Sequence, residues 1–90
     1  MEFEWDPKKA ADNIQKHGVS FQEGITVFGD PFAITFEDPD HSTSENRFIT
    51  FGMSIRRRLL VVSHTERKGK TRIISARQMD HKEILIYEEG

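Results

Sequence analysis

Ninety residues with a net charge of −2 and no cysteine are expected to form one domain over residues 1–90 around one modest core, since a chain this short buries only about 60 to 65% of the surface its unfolded state exposes. The absent thiols exclude a disulfide-stapled secreted fold and a thiolate site, and they fit a reducing, cytoplasmic setting. The start, Met1-Glu2-Phe3-Glu4-Trp5-Asp6, is acidic where a signal peptide is basic, and the longest apolar run, Leu59 to Val62, is far too short for a bilayer, so no membrane role is expected.

Phe3 and Trp5 alternate with acids, the period-two mark of a short strand with one buried face. Asp6-Pro7 opens a helix, because aspartate caps an unpaired amide and proline at the first helical position has no amide to lose. That helix runs to His17, with Ala10, Ile14 and Ala11 as a thin apolar stripe, and stops at Gly18. Ser20 and Glu23 have capping-box spacing and start a second helix, whose Phe21, Ile25 and Phe28 fall on one face and whose Gly24 costs roughly 1 kcal/mol relative to alanine. Gly29-Asp30-Pro31 ends it.

Phe32 to Phe36 reads as a strand, followed by a polar loop from Glu37 to Glu45. Arg47 to Met53 resumes the sheet, with Arg47, Ile49, Phe51 and Met53 on one face. Leu59 to Arg67 and Thr71 to Arg77 are two further strands, joined through Lys68-Gly69-Lys70 as a hairpin. Asp80 and Glu83 repeat the capping-box spacing, and Ile84, Leu85 and Tyr87 form the short apolar side of a last helix. The expected fold is α+β: a four-stranded antiparallel meander plus a short N-terminal strand, with two N-terminal helices and one C-terminal helix. One sheet face is then covered by helices and the other is open to a ligand.

Charge is unevenly placed. Residues 1–45 carry ten acids against Lys8, Lys9 and Lys16, whereas residues 46–90 carry ten basic groups against five acids. Between Arg56 and Arg77 stand Arg56, Arg57, Arg58, Arg67, Lys68, Lys70, Arg72 and Arg77 with Glu66 as the single acid, a pattern that suits a phosphate backbone. No RNP motif or stacking stripe accompanies it, so sequence-specific readout is not expected. Metal-free cleavage of a phosphodiester needs a proton carrier and fixed cations, which His64 or Glu66 and Arg67, Arg72 and Arg77 supply as residue types. His17, His41, His64 and His81 have no common zinc spacing, and the Asp38-Asp40-Glu45 loop lacks the pattern of a calcium loop, so neither metal nor cofactor is expected. No helix has a basic face for the major groove, so direct DNA reading is not expected. The loop beside Arg47 adds His41 and Arg47 to the candidate site. The same residues also admit a non-catalytic basic module that only binds an acidic partner or RNA.

Phe3-Glu4-Trp5-Asp6, Lys16-His17-Gly18-Val19-Ser20-Phe21, Asp40-His41-Ser42, Glu45 with Arg47, His64-Thr65-Glu66-Arg67 and Arg72-Ile73-Ile74-Ser75-Ala76-Arg77 together, in this order over nearly the whole length, resemble the BrnT family of bacterial toxins. The resemblance implies a RelE-like ribonuclease that blocks translation and is paired with a BrnA-like antitoxin. That antitoxin holds it inactive and is its only route to DNA. The resemblance secures the reaction class more than the residues, and the reading of the residues themselves gives His64, Glu66, Arg67, Arg72 and Arg77 as catalytic candidates, with His41, Arg47, Arg58, Lys70 and Tyr87 as a second tier on RNA. One departure is visible: where the family's last helix reads Glu-Arg before a Tyr-Glu pair, Glu83 is followed here by Ile84, although Tyr87 and Glu88 are in place.

Overall fold

The computed structural model describes residues 1–38, 40 and 46–90. Its elements are β1 (Phe3–Glu4), α1 (Pro7–His17), α2 (Phe21–Gly24) continued by a 3₁₀ segment (Ile25–Gly29), β2 (Ile34–Glu37), β3 (Arg47–Met53), β4 (Leu59–Arg67), β5 (Lys70–Gln78) and α3 (His81–Glu89). The strands lie in the order β1-β5-β4-β3-β2. β2 to β5 form the expected antiparallel meander. β1 joins the far edge parallel to β5, with Phe3 opposite Thr71 and Glu4 opposite Arg72, so the sheet is mixed. No helix among the described residues is long and apolar enough to cross a membrane.

The local signals act as their chemistry requires, with two exceptions. The Asp6 carboxylate accepts from the Lys8 amide at 2.8 Å, and α1 closes at Gly18 with φ 68°. Asp80 and Glu83 complete a reciprocal capping box on α3. At α2 only half of the expected box forms: Ser20 Oγ accepts from the Glu23 amide at 3.0 Å, while the Glu23 carboxylate turns inward to Ser54 and Arg58. The half-buried Arg58 guanidinium offers charge-assisted bonds, and these outcompete one backbone amide. The strand expected from Phe32 begins at Ile34 instead, because Asp30 Oδ1 accepts from the Phe32 amide and holds Pro31-Phe32 in a turn. Phe32 is left exposed.

Side chains alternate across the sheet, so the cross-strand register assigns each residue to a face. One face carries Leu60, Val62, Ile73 and Ala76, packed with Val19, Phe21 and Val27 and flanked by Phe3, Trp5, Ala10, Ile25 and Phe28. This is the main core, under α1, α2 and the 3₁₀ segment. The other face carries Phe51 and Val61, packed with Met79, Ile49, Leu59, Ile84 and Tyr87. The sheet is therefore not covered on one side alone. α3 lies on the second face and covers the half of it near the β3–β4 turn, because Ile84 and Tyr87 supply a docking stripe; Leu85 stays 47% exposed. Two glycines let the helical layer approach closely: a Cβ on Gly24 would stand 3.1 Å from the Ala76 Cβ, and one on Gly52 would stand 2.9 Å from the Val27 Cβ.

Buried polar groups tie the layers together. Only residues 71 and 72 of β5 pair with β1, which leaves the backbone of Ala76 at an open edge. The Asn13 side chain stands in for a strand there, donating to Ala76 O at 2.7 Å and accepting from Ala76 N at 3.2 Å, with a second donation to Val19 O at 2.8 Å. α1 thus buries Asn13, while Ile14, expected in its apolar stripe, is 49% exposed. Arg58 grips Glu23 through two nitrogens and also donates to Gly18 O, and Ser54 Oγ donates to Glu23 at 2.7 Å.

Glu23→Gln is expected to cost about 3 kcal/mol in chemical denaturation, because it strands a guanidinium partly removed from water. The Arg58 hydrogen bonds hold the Glu23 carboxyl below its ordinary 4.5 against the opposing effect of burial. Its contribution to stability is therefore present above that value and lost as pH falls through the lower folded value. The wild-type loss of stability in acid should be shallower in the Glu23→Gln variant. Gly52→Ala should lower stability by about 1 to 3 kcal/mol through overpacking, measured by the same denaturation.

Candidate active site

Beyond α3, the second sheet face presents side chains in rows that cross the strands about 7 Å apart, two residues along each strand. Arg67 opposes Lys70 beside the β4–β5 turn. The next row runs Arg47, Thr65, Arg72, Glu4 across β3, β4, β5 and β1. Then come Ile49, Ser63 and Ser75, followed by Phe51, Val61 and Arg77 where α3 begins to cover the face. The β4–β5 turn is tight, with Lys68 at φ 52° and Gly69 at φ 80°, values that suit a two-residue hairpin loop. The turn folds Lys68 and Lys70 back beside Arg67 and Arg72.

Glu4, Arg67, Lys68, Lys70 and Arg72 line one cleft of about 290 Å³. Four cations and one carboxylate meet there. Arg72 Nη1 lies 3.2 Å from Glu4 Oε2, both side chains about 30% exposed, so the pair itself adds only about 0 to 1 kcal/mol. Its effect is orientation: it points a planar guanidinium and a carboxylate into the same cleft. Of the expected site residues, the structure brings Arg67, Lys70 and Arg72 together here and sets Arg47 in the same row. Arg47 has an interaction of its own.

The other expected members lie elsewhere. His64 and Glu66 alternate onto the opposite face, in the same sheet region as the arginines but not on the same surface. A register shift on β5 between Ser63 and His64 carries His64 opposite Ile73. There it is 5% exposed, edge-on to Phe28 at 5.0 Å and stacked on Phe48 at 5.8 Å. Its Nε2 is 2.7 Å from Thr50 Oγ1, which is in turn 2.8 Å from Thr35 Oγ1. Nδ1 has no partner among the described residues. Glu66 accepts from the Thr71 hydroxyl at 3.1 Å on that same face.

Arg77 is on the open face but forms two parallel bonds to Glu83 of α3, at 2.7 and 2.8 Å, and this carboxylate raises its affinity for the proton further. Arg58 belongs to the Glu23 lock at the opposite end of β4, roughly 30 Å from Arg67 by strand rise. The basic run is therefore two clusters and not one footprint. Tyr87 donates to Asp30 Oδ2 at 2.6 Å, which pushes its hydroxyl up to about 12 and pins α3 to the end of the 3₁₀ segment. His41, together with Pro39 and the stretch from Ser42 to Glu45, lies outside the described residues.

Glu4 and Lys68 complete the cleft; Lys68 was expected only as part of the basic run, and Glu4 was not among the expected site residues. The alternation of Phe3 and Trp5 with acids does set Glu4 on the face away from the core. Nothing in the sequence says that β1 pairs with β5.

A sequence model described as ribonuclease toxin, BrnT, of type II toxin–antitoxin systems matches residues 5–83. The chain belongs to the BrnT family. The crystal structure of the Brucella abortus ribonuclease toxin BrnT, at 21% identity, superposes with a TM-score of 0.71 over 90% of this chain and 99% of that one, which shows the shared fold. No curated protein matches significantly. Membership in a BrnT ribonuclease-toxin family of type II systems carries with it an antitoxin partner.

In this BrnT-family chain, burial holds the His64 imidazole below its ordinary 6.5, opposed by the Glu66 carboxylate. The unfolded chain then binds a proton that the folded one does not, so stability should fall as pH drops below about 6.5 toward the lower folded value. Denaturation curves at pH 7.5 and 5.5 should show this loss for the wild type and much less of it for His64→Phe. An equal loss in both would assign the effect to other groups.

Proposed function

We propose that this chain is a metal-independent, RelE-like endoribonuclease that acts as one toxin domain over residues 1–90, cleaving RNA in the cytoplasm and thereby inhibiting translation until a BrnA-like antitoxin neutralises it. The observation that carries this reading is the convergence of Arg67, Lys68, Lys70 and Arg72 on one cleft, at the end of the sheet that α3 leaves uncovered. Phosphodiester cleavage places developing charge on the phosphoryl oxygens, and cations fixed in advance stabilise it without reorganising. Guanidinium and ammonium groups supply that charge with no metal in the step. Four cations on a turn and a strand end also suit a single-stranded backbone, which basic grooves track without reading sequence.

In this reading Arg72 holds the scissile phosphate, because its planar fork matches two phosphate oxygens and Glu4 keeps it in place. Arg67, Lys68 and Lys70 bind the same phosphate or the next one, and Arg47 extends the row toward β3. Arg77 is a positioning residue that fixes α3 through Glu83. His64 supports the aromatic packing beneath the sheet and does not carry the proton. Tyr87 and Arg58 act through Asp30 and Glu23 on the frame.

Arg72→Ala should lower the RNA cleavage rate by about 10²-fold with little change in melting temperature, because the partly exposed pair it breaks adds little stability. Arg72→Lys should recover only part of the rate, as it keeps the charge and loses the fork. Induced expression of the wild type should arrest growth, and that of Arg72→Ala should not. Undiminished cleavage by Arg72→Ala would remove the cleft from the reaction.

A further inference from the structure

The reading above leaves one chemical role empty. Cleavage at the 2′-hydroxyl needs a group that accepts its proton, and the two acceptors expected from the sequence, His64 and Glu66, are on the other face of the sheet. His64 is also closed off, with Phe28 and Phe48 against its ring and Nε2 bonded to Thr50. Among the described residues that line the basic cleft, four are permanent or ordinary cations, which donate, and one is a carboxylate, Glu4. Only the carboxylate is an acceptor.

Three observations set Glu4 up for this role. It reaches the cleft through parallel pairing of β1 with β5, which puts it directly opposite Arg72, the proposed phosphate ligand. Arg72 Nη1 engages one oxygen, Oε2, while Oε1 has no hydrogen bond among the described residues and is available to a substrate hydroxyl. The strand partners on its other side are fixed as well: Phe3 is packed on Phe28 at 5.3 Å, and the Thr71 amide donates to Glu2 O at 2.8 Å. A two-residue strand thus holds the carboxylate on a rigid sheet edge and not on a loose terminus.

We propose that Glu4 is the general base of the RNA cleavage site, an assignment that rests on the ribonuclease reading above. Glu4 Oε1 takes the proton of the 2′-hydroxyl as O2′ forms a bond to phosphorus. The bond from phosphorus to O5′ breaks, its electron pair leaves with O5′, and that oxygen takes a proton from water. The products are a 2′,3′-cyclic phosphate and a 5′-hydroxyl, and Glu4 returns its proton to solvent. No redox partner or metal enters. RNA is required over DNA because DNA has no 2′-hydroxyl to deprotonate.

The test uses the full chain on a short single-stranded RNA that the wild type cleaves. Single-turnover rates are measured on that RNA, and affinity is measured on the same oligonucleotide with a 2′-O-methyl group at the scissile position. Glu4→Gln should lower the rate by about 10²- to 10³-fold, with the affinity unchanged or tighter because a negative charge has left a basic cleft. Glu4→Asp should restore part of the rate, and both variants should melt close to the wild type. Cleavage by Glu4→Gln within about threefold of the wild type would overturn the assignment. So would a parallel loss of affinity and rate, which would make Glu4 only a support for Arg72. If the wild type binds RNA but produces no cleavage at any concentration, the ribonuclease reading itself fails and Glu4 falls with it.

Discussion

Unequal coverage of the two sheet faces is the constraint on which the rest of this structure depends. Along β4 the main-core face is buried at Leu60, Val62 and His64, whereas the second face has apolar packing only at Leu59 and Val61, where α3 lies. A strand buried on both sides reads as a continuous apolar run, and a strand buried on one side alternates. β4 does both in turn, so the apolar run at its start gives way on the second face to the polar residues Ser63, Thr65 and Arg67, of which Thr65 is buried through its hydroxyl bond to Asn46 O. The polar surface that carries the cleft exists because α3 is only nine residues long and ends its docking at Ile49.

Cations divide by position along the same strand. At the β3–β4 end, Arg58 is bound into the Glu23 lock with Arg56 within 3.9 Å of it, and Arg57 sits at φ 65° in the turn itself. At the β4–β5 end, Arg67, Lys68, Lys70 and Arg72 face one carboxylate. The first group closes α2 onto the hairpin, and the second keeps a positive potential at the surface. A chain of net charge −2 can therefore present a local site for an anion, with the compensating acids distributed over β1, the β2–β3 region and α3. Attraction of any phosphate backbone to such a site weakens steeply with salt.

The polar contacts of α3 show how a helix with no fully buried residue is held. Tyr87 to Asp30 and Arg77 to Glu83 pin its two ends, and between them Ile84 packs on the second core. Asp30 is itself shared, accepting also from the Phe32 and Met53 amides. One carboxylate thereby coordinates the end of the 3₁₀ segment, the start of β2, the end of β3 and the last helix. Charge-assisted bonds of this kind add geometric specificity where the apolar area is small.

By itself the sequence determined the order of the elements and most of their ends, because those depend on neighbours a few residues away: Asp6-Pro7 and Gly18 around α1, Asp80 and Glu83 at α3, Lys68-Gly69 in the hairpin. It also showed that Arg47, Ile49, Phe51 and Met53 share a face, since alternation is a local rule, and the motifs spread from Phe3 to Arg77 marked the family. Tertiary structure alone decided which groups meet. The side on which His64 falls follows from which face of β4 the main core takes, and Arg72 and Arg77 share the other face because β5 carries one extra residue, Ile74, in its pairing with β4; a run that is apolar on both sides reveals neither. Glu23, spaced to cap its own helix, turned instead to an arginine 35 residues away. Glu4 came to Arg72 through a parallel pairing between strands 68 residues apart. Contacts at that separation depend on how whole faces pack, and no local pattern encodes them.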